Sequence, residues 1–64
     1  MKNIMFENEM EEYLIYNGYN IEDEGGCLDS TLVIEEAIKI GYKNYLLSNE
    51  DNGKYHDTYI FILE

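Results

Sequence analysis

The chain has 64 residues, a formal net charge of −10 and a single cysteine. This length allows one domain, 1–64, and a domain this small buries only roughly 60% of the surface of its unfolded chain. The charge makes nucleic acid, anionic membranes and other polyanions poor direct partners. A lone cysteine is typical of a reducing compartment rather than of a disulfide scaffold, and no stretch is apolar for long enough to span a bilayer, so we expect a cytoplasmic protein.

The acidic residues are concentrated in the first half of the chain. No lysine occurs between Lys2 and Lys39, whereas ten acidic residues lie in that interval. From Lys39 onward three lysines face four acidic residues, so nearly the whole net charge belongs to the first 38 residues. A composition of 45% hydrophobic residues with seven tyrosines and two phenylalanines argues against disorder as the explanation.

Residues 8–17 are the first long predicted element, and the Asn-Gly pair at their end has two interpretations. In the helix interpretation, Asn8 and Glu11 form a capping box, Gly18 takes the left-handed C′ position and Tyr19 packs back on the last turn. In the alternative, Asn-Gly is the type I′ turn of a hairpin with the sequence YLIY-NG-YNIE. We favour the helix, because the stretch repeats the pattern of the second helix: two Glu, an apolar run, then Gly-Tyr.

Residues 30–40 are predicted to form the second helix. Asp29 or Ser30 can cap its start, and its apolar residues recur with a spacing near 3.6. Gly41 follows the last periodic residue, where a C′ position favours glycine, and Lys39 suits the negative end of the helix dipole.

The end of the chain predicts an antiparallel hairpin. Residues 43–48 and 55–63 flank the turn cluster NEDNG, and KNIMF near the start can add a short strand. The predicted fold class is therefore α+β: two short helices packed on a small antiparallel sheet that ends in a C-terminal β-hairpin, in the order α-β-α-β-β. Two helices can cover only one face of such a sheet.

The last strand is apolar on both faces, which predicts self-association or an obligatory partner. Alternation directs Tyr59 to one side with Phe61, and Ile60 and Ile62 to the other side. Because an uncovered apolar strand is an aggregation hazard, we expect another molecule to cover it. The residues predicted for self-association are Tyr59, Ile60 and Ile62.

The sequence predicts no catalytic, cofactor-binding or metal-binding motif. An EF-hand loop aligned on Gly53 puts Tyr59 where the closing Glu is needed, and one aligned on Gly25 puts Thr31 there. Cys27 and His56 are the only residues of their kinds and lie far apart in sequence, which disfavours a transition-metal site and a nucleophilic pair. We therefore expect no enzyme, no cofactor and no metal.

The remaining signal is an acidic and tyrosine-rich surface suited to binding another protein. On a helix, Glu7 and Glu11 stand at i, i+4 spacing and Glu9 and Glu12 at i, i+3, so that the carboxylates form rows that imitate the charge density of a duplex backbone. Tyrosine is favoured at protein interfaces. The predicted partner-binding residues are Glu7, Glu9, Glu11, Glu12, Tyr16, Tyr19, Glu22, Asp23, Glu24, Glu35 and Glu36.

In size, acidity and lack of catalytic motifs the whole chain resembles small phage-encoded inhibitors of the DNA-mimic and anti-CRISPR kind, although no motif anchors this resemblance. It implies a non-enzymatic inhibitor in a bacterial host cell, with a basic, nucleic-acid-binding protein as its partner. The alternative is a small homodimeric regulatory or assembly subunit that associates through the C-terminal sheet and whose acidity is incidental and serves solubility.

Overall fold

The computed structural model describes residues 2–64, and its fold class is α+β as predicted. Its order is β-α-α-β-β rather than the predicted α-β-α-β-β, because a short strand precedes the first helix and the segment between the helices holds only an isolated bridge between Glu22 and Leu28. The elements are β1 (Ile4–Phe6), α1 (Glu7–Tyr16), α2 (Ser30–Lys39), β2 (Tyr42–Asp51) and β3 (Lys54–Leu63).

The start of α1 differs from the predicted capping box of Asn8 and Glu11. The helix begins one residue earlier, and Phe6 in extended conformation is its N-cap. The carboxylate of Glu9 accepts a hydrogen bond from the backbone N–H of Phe6 at 3.4 Å. Strand β1 runs directly into the helix, so the cap is placed by the sheet rather than by a polar capping side chain.

The end of α1 settles the Asn-Gly question in favour of the helix. Gly18 has φ +83°, its N–H donates to the carbonyl of Ile15 at 3.0 Å, and the N–H of Tyr19 donates to the carbonyl of Leu14 at 2.9 Å. These two bonds are those of a Schellman motif, which satisfies carbonyls that the helix leaves free.

Helix α2 has the predicted cap and end. The carboxylate of Asp29 accepts from the N–H of Thr31 at 2.9 Å, which makes Asp29 rather than Ser30 the N-cap. Gly41 has φ +106°, and its N–H donates to the carbonyl of Ile38 at 3.0 Å.

The three strands form an antiparallel sheet in the order β1-β3-β2. The predicted hairpin is longer than expected, because β2 continues through Asp51 and the turn contains only Asn52 and Gly53. Both turn residues have positive φ (+52° and +77°), as a type I′ turn requires. From Tyr45 to Asp57 every residue is exposed, so this part of the hairpin projects beyond the helices.

The core lies between the helices and one face of the sheet. Its largest side chain is Tyr42, whose hydroxyl donates to the backbone carbonyl of Lys2 at 2.7 Å. That bond ties the start of the chain to β2, and burial raises the pKa of the Tyr42 hydroxyl. The buried residues are Met5, Met10, Leu14, Ile21, Val33, Ala37, Tyr42 and Phe61.

The opposite face of the sheet, here called the outer face, has no element of residues 2–64 packed on it. The strand register and the alternation of side chains place six apolar residues there: Ile4, Phe6, Tyr45, Leu47, Ile60 and Ile62. Two of the predicted self-association residues, Ile60 and Ile62, thus lie on the outer face. The third, Tyr59, lies on the helix-covered face and packs against the core.

Candidate protein-binding surface

One face of α1 and strand β1 form an open groove of about 590 Å³, here called the α1 groove. Helix α1 buries Met10 and Leu14 against the core and turns its acidic residues outward. The groove combines apolar and aromatic side chains with two carboxylates and one ammonium group. Its lining residues are Lys2, Met5, Glu9, Glu12, Tyr13, Tyr16 and Asn17.

One carboxylate of this groove, that of Glu9, already forms an ion pair within the chain. The ammonium group of Lys2 forms an ion pair with Glu9. The hydrogen bond to Glu9 and the charge of Glu9 raise the pKa of Lys2, while hydrogen bonds from Lys2 and from the backbone N–H of Phe6 lower the pKa of Glu9. Because the ammonium group is exposed, we expect the pair to add little to the stability of the fold. The pair is nevertheless a local example of ammonium binding by this groove.

Two neighbouring carboxylates on α1 repel that of Glu11. Glu11 is half-buried, and its pKa is raised first by that burial and then by the negative charges of Glu7 and Glu12. Glu7 accepts a hydrogen bond from the hydroxyl of Ser30 at 2.9 Å, which also joins the starts of the two helices. A cationic group brought close to these carboxylates would relieve their repulsion.

The tyrosines of α1 complete the groove. Tyr16 is 90% exposed and Tyr13 is half-buried, and both line the groove with Glu9 and Glu12. The face of a tyrosine ring attracts a lysine or arginine side chain by about 0.5–1 kcal/mol at exposed sites. Tyr19, the other predicted partner-binding tyrosine, is 38% exposed and lies just after the helix.

One carboxylate of the acidic loop between the helices forms hydrogen bonds within the loop itself. Asp23 accepts hydrogen bonds from the backbone N–H groups of Gly25, at 2.8 Å, and Cys27, at 3.0 Å. Asp23 therefore holds the loop closed, whereas the side chains of Glu22 and Glu24 are exposed. None of the three lines the α1 groove.

Helix α2 carries the last two predicted acidic residues, and one of them is paired. Glu36 forms an ion pair with Lys39 at 3.1 Å, and Glu35 is exposed. Within the interval from Lys2 to Lys39, Glu9 and Glu36 thus have lysine partners. The i, i+3 spacing of Glu36 and Lys39 on a helix indicates the second pair, whereas no helical spacing indicates the pairing of Lys2 with Glu9. The other predicted acidic residues have no lysine partner among residues 2–64.

Sequence reasoning missed the groove itself and four of its residues: Lys2, Met5, Tyr13 and Asn17. The sequence does indicate part of the groove, because Glu9, Tyr13 and Tyr16 have the spacing i, i+4 and i+7 of residues on one helix face. Lys2 and Met5 reach the groove only because β1 pairs with β3 at the edge of the sheet, which no local pattern indicates.

The residues considered for other chemistry are not assembled into a site. Cys27 is exposed on the loop, and His56 is exposed in β3 opposite Asn49. Within residues 2–64 no group of three His, Cys, Asp or Glu side chains is placed to hold a metal ion. In the same residues, neither α1 nor α2, with ten residues each, has the length of a transmembrane helix.

Comparisons of the chain with protein families, curated proteins and solved structures give no match. The surface described above therefore has to be interpreted from its own chemistry.

Proposed function

We propose that this chain is a non-enzymatic, acidic inhibitor that places the α1 groove on a basic, nucleic-acid-binding surface of a target protein. The observation that supports the proposal is the composition of the groove, in which Glu9 and Glu12 lie beside the rings of Tyr13 and Tyr16 and the ammonium group of Lys2 is bound by one carboxylate. The inhibitor would act in the cytoplasm of a bacterial host.

The groove has the chemistry to hold an arginine or lysine side chain of the target. Arginine pairs with a carboxylate through two hydrogen bonds and stacks on an aromatic ring, so Glu12 and Tyr16 offer both interactions to a single guanidinium group. A second cation of the target can replace Lys2 at Glu9, because the existing pair is at the surface and adds little to stability.

The acidic residues outside the groove would attract the target protein during association rather than contact it in the complex. Glu7 and Glu11 continue the row of carboxylates along α1, and Glu24 and Glu35 add charge on the loop and on α2. A field of this kind speeds association with a positive surface and weakens as salt increases. A protein channel that binds DNA has such a surface, so the inhibitor would compete with DNA for it, as a DNA mimic or anti-CRISPR protein does.

The test compares variants of equal charge. Glu12→Gln removes a groove carboxylate and Glu24→Gln removes one from the loop; neither residue makes a side-chain hydrogen bond or ion pair among residues 2–64. Tyr16→Ala and Tyr55→Ala remove tyrosines that are 90% and 76% exposed, the second of them in the projecting hairpin. The protein, immobilised, is incubated with bacterial lysate, and captured proteins are eluted with duplex DNA.

We expect wild type to capture a DNA-binding protein that duplex DNA displaces. Glu12→Gln and Tyr16→Ala should each lower its affinity by at least fivefold, whereas Glu24→Gln and Tyr55→Ala should change it less than twofold. Capture that survives duplex DNA, or that the paired variants reduce equally, would contradict the proposal. Equal losses of affinity for Glu12→Gln and Glu24→Gln would mean that the target responds only to the net charge of the chain.

A further inference from the structure

We propose that the outer face of the sheet is the interface of a two-fold symmetric homodimer, in which a second copy of this chain covers the apolar side chains that the helices leave exposed. This inference is independent of the proposed function, because the α1 groove lies on the helix side of the sheet.

The first argument is the amount of apolar surface on the outer face. Ile4 is 57% exposed, Phe6 50%, Tyr45 41% and Leu47 44%. A large side chain exposes roughly 150–250 Å² in the unfolded chain, so each of these leaves on the order of 80–100 Å² in contact with water. Two copies packed face to face would remove roughly 700 Å² of such surface before Ile60 and Ile62 are counted, which approaches the ~1,000 Å² that a specific interface should exceed.

The second argument is charge, and it identifies the occupant. The register places Lys43, Asp51 and Lys54 on the side of the outer face, and Lys43 holds Glu64 there at 2.8 Å. Two of the four lysines and two of the fourteen acidic residues thus lie on this side, so the formal net charge of −10 belongs entirely to the remaining surface. The outer face is therefore balanced and can meet its own copy, whereas the rest of the surface carries the net negative charge that repels a second copy.

Two of the charged groups at the border of this face, Lys43 and Glu64, are paired with each other within one copy. Glu64 accepts from the ammonium group of Lys43 and, at 3.0 Å, from the hydroxyl of Tyr45, and these bonds lower the pKa of Glu64. A second copy therefore needs to bring no counter-charge to this pair. Two sheets that stack in this way lie about 10 Å apart and exclude water from their facing side chains.

The test uses two neighbouring leucines as a matched pair. Leu47 points to the outer face and Leu46 to the opposite face of the same strand, and they are 44% and 52% exposed. Leu47→Lys and Leu46→Lys therefore change charge, size and strand position alike and differ in the face that they alter. Sedimentation equilibrium of the full chain measures the dimer dissociation constant, and circular dichroism verifies the fold of each variant.

We expect a wild-type mass that rises with concentration from 7.6 kDa to twice that value. Leu47→Lys should raise the dissociation constant at least tenfold, Phe6→Lys should do the same, and Leu46→Lys should change it less than twofold. Raising the salt from about 50 mM to about 500 mM should strengthen the dimer, because it screens the repulsion between two anionic copies. Binding of a basic target has the opposite salt dependence, so either proposal can be refuted without refuting the other.

A wild-type protein that stays monomeric at millimolar concentration would overturn the inference. So would a dimer that Leu46→Lys weakens as much as Leu47→Lys, since the interface would then not be the outer face.

Discussion

Gly18 offers a direct test of how the Asn-Gly pair ends α1. Its φ of +83° lies in the left-handed region, and a Cβ added there meets no atom within 4 Å. Replacing Gly18 by L-alanine therefore creates no clash and alters only the backbone energy. The same position can be replaced by D-alanine through chemical synthesis, which a chain of 64 residues permits.

The size of the effect follows from two opposing contributions. Placing an L-residue in the left-handed region costs roughly 1–2 kcal/mol. Replacing glycine by alanine also reduces the freedom of the unfolded chain, which stabilises the fold by about 0.4–1 kcal/mol. Gly18→Ala should thus lower the free energy of unfolding by about 1 kcal/mol, whereas D-alanine, which favours this φ, should raise it by up to about 1 kcal/mol.

Thermal unfolding followed by circular dichroism measures both changes. For a domain of this size, 1 kcal/mol corresponds to a shift in Tm of roughly 4–8 °C, so the two epimers should differ by at least that amount. Gly25→Ala is the control, because Gly25 has an ordinary φ and its added Cβ lies 3.4 Å from the Asp23 carboxylate. If L-alanine and D-alanine at residue 18 gave the same Tm, the left-handed helix end described above would be wrong.

Three other substitutions test single interactions, each by chemical denaturation. Glu11→Gln should stabilise the fold by about 0.5 kcal/mol at pH 7, because it removes a like-charge pair with Glu7 at i, i+4. Burial and the charges of Glu7 and Glu12 raise the pKa of Glu11, so the folded state binds its proton more tightly. The gain should therefore disappear as pH falls below the unfolded pKa of about 4.3, and a gain that persists there would refute an electrostatic cause. Asn44→Leu should stabilise by about 1–2 kcal/mol, since the buried Oδ1 atom of Asn44 lacks a hydrogen-bond partner within residues 2–64; a loss of stability would mean that the amide is satisfied in solution. Asp29→Ala should cost about 0.5–2 kcal/mol by removing the cap on Thr31, and Asp29→Asn should restore most of it.

The sequence by itself determined the parts of this protein that depend on neighbouring residues. The C-terminal ends of both helices, the start of α2 and the Asn-Gly of the hairpin turn were predicted because a glycine at positive φ and an Asp cap act within a few residues. Alternation along β3 likewise separated Ile60 and Ile62 from Phe61 before any contact was known.

Only the tertiary structure decided how these parts meet. The pairing of Ile4–Phe6 with β3 brings residues about 55 positions apart together, and it turns the start of the chain into an edge strand that moves the cap of α1 from Asn8 to Phe6. The same pairing puts Lys2 beside Glu9 and Met5 under the groove, so that a run of acidic residues becomes a site with tyrosine rings and one internal cation. Local patterns set the direction of each side chain and the Glu36–Lys39 pair, but which faces are covered, and which residues line the groove, depends on contacts between distant residues.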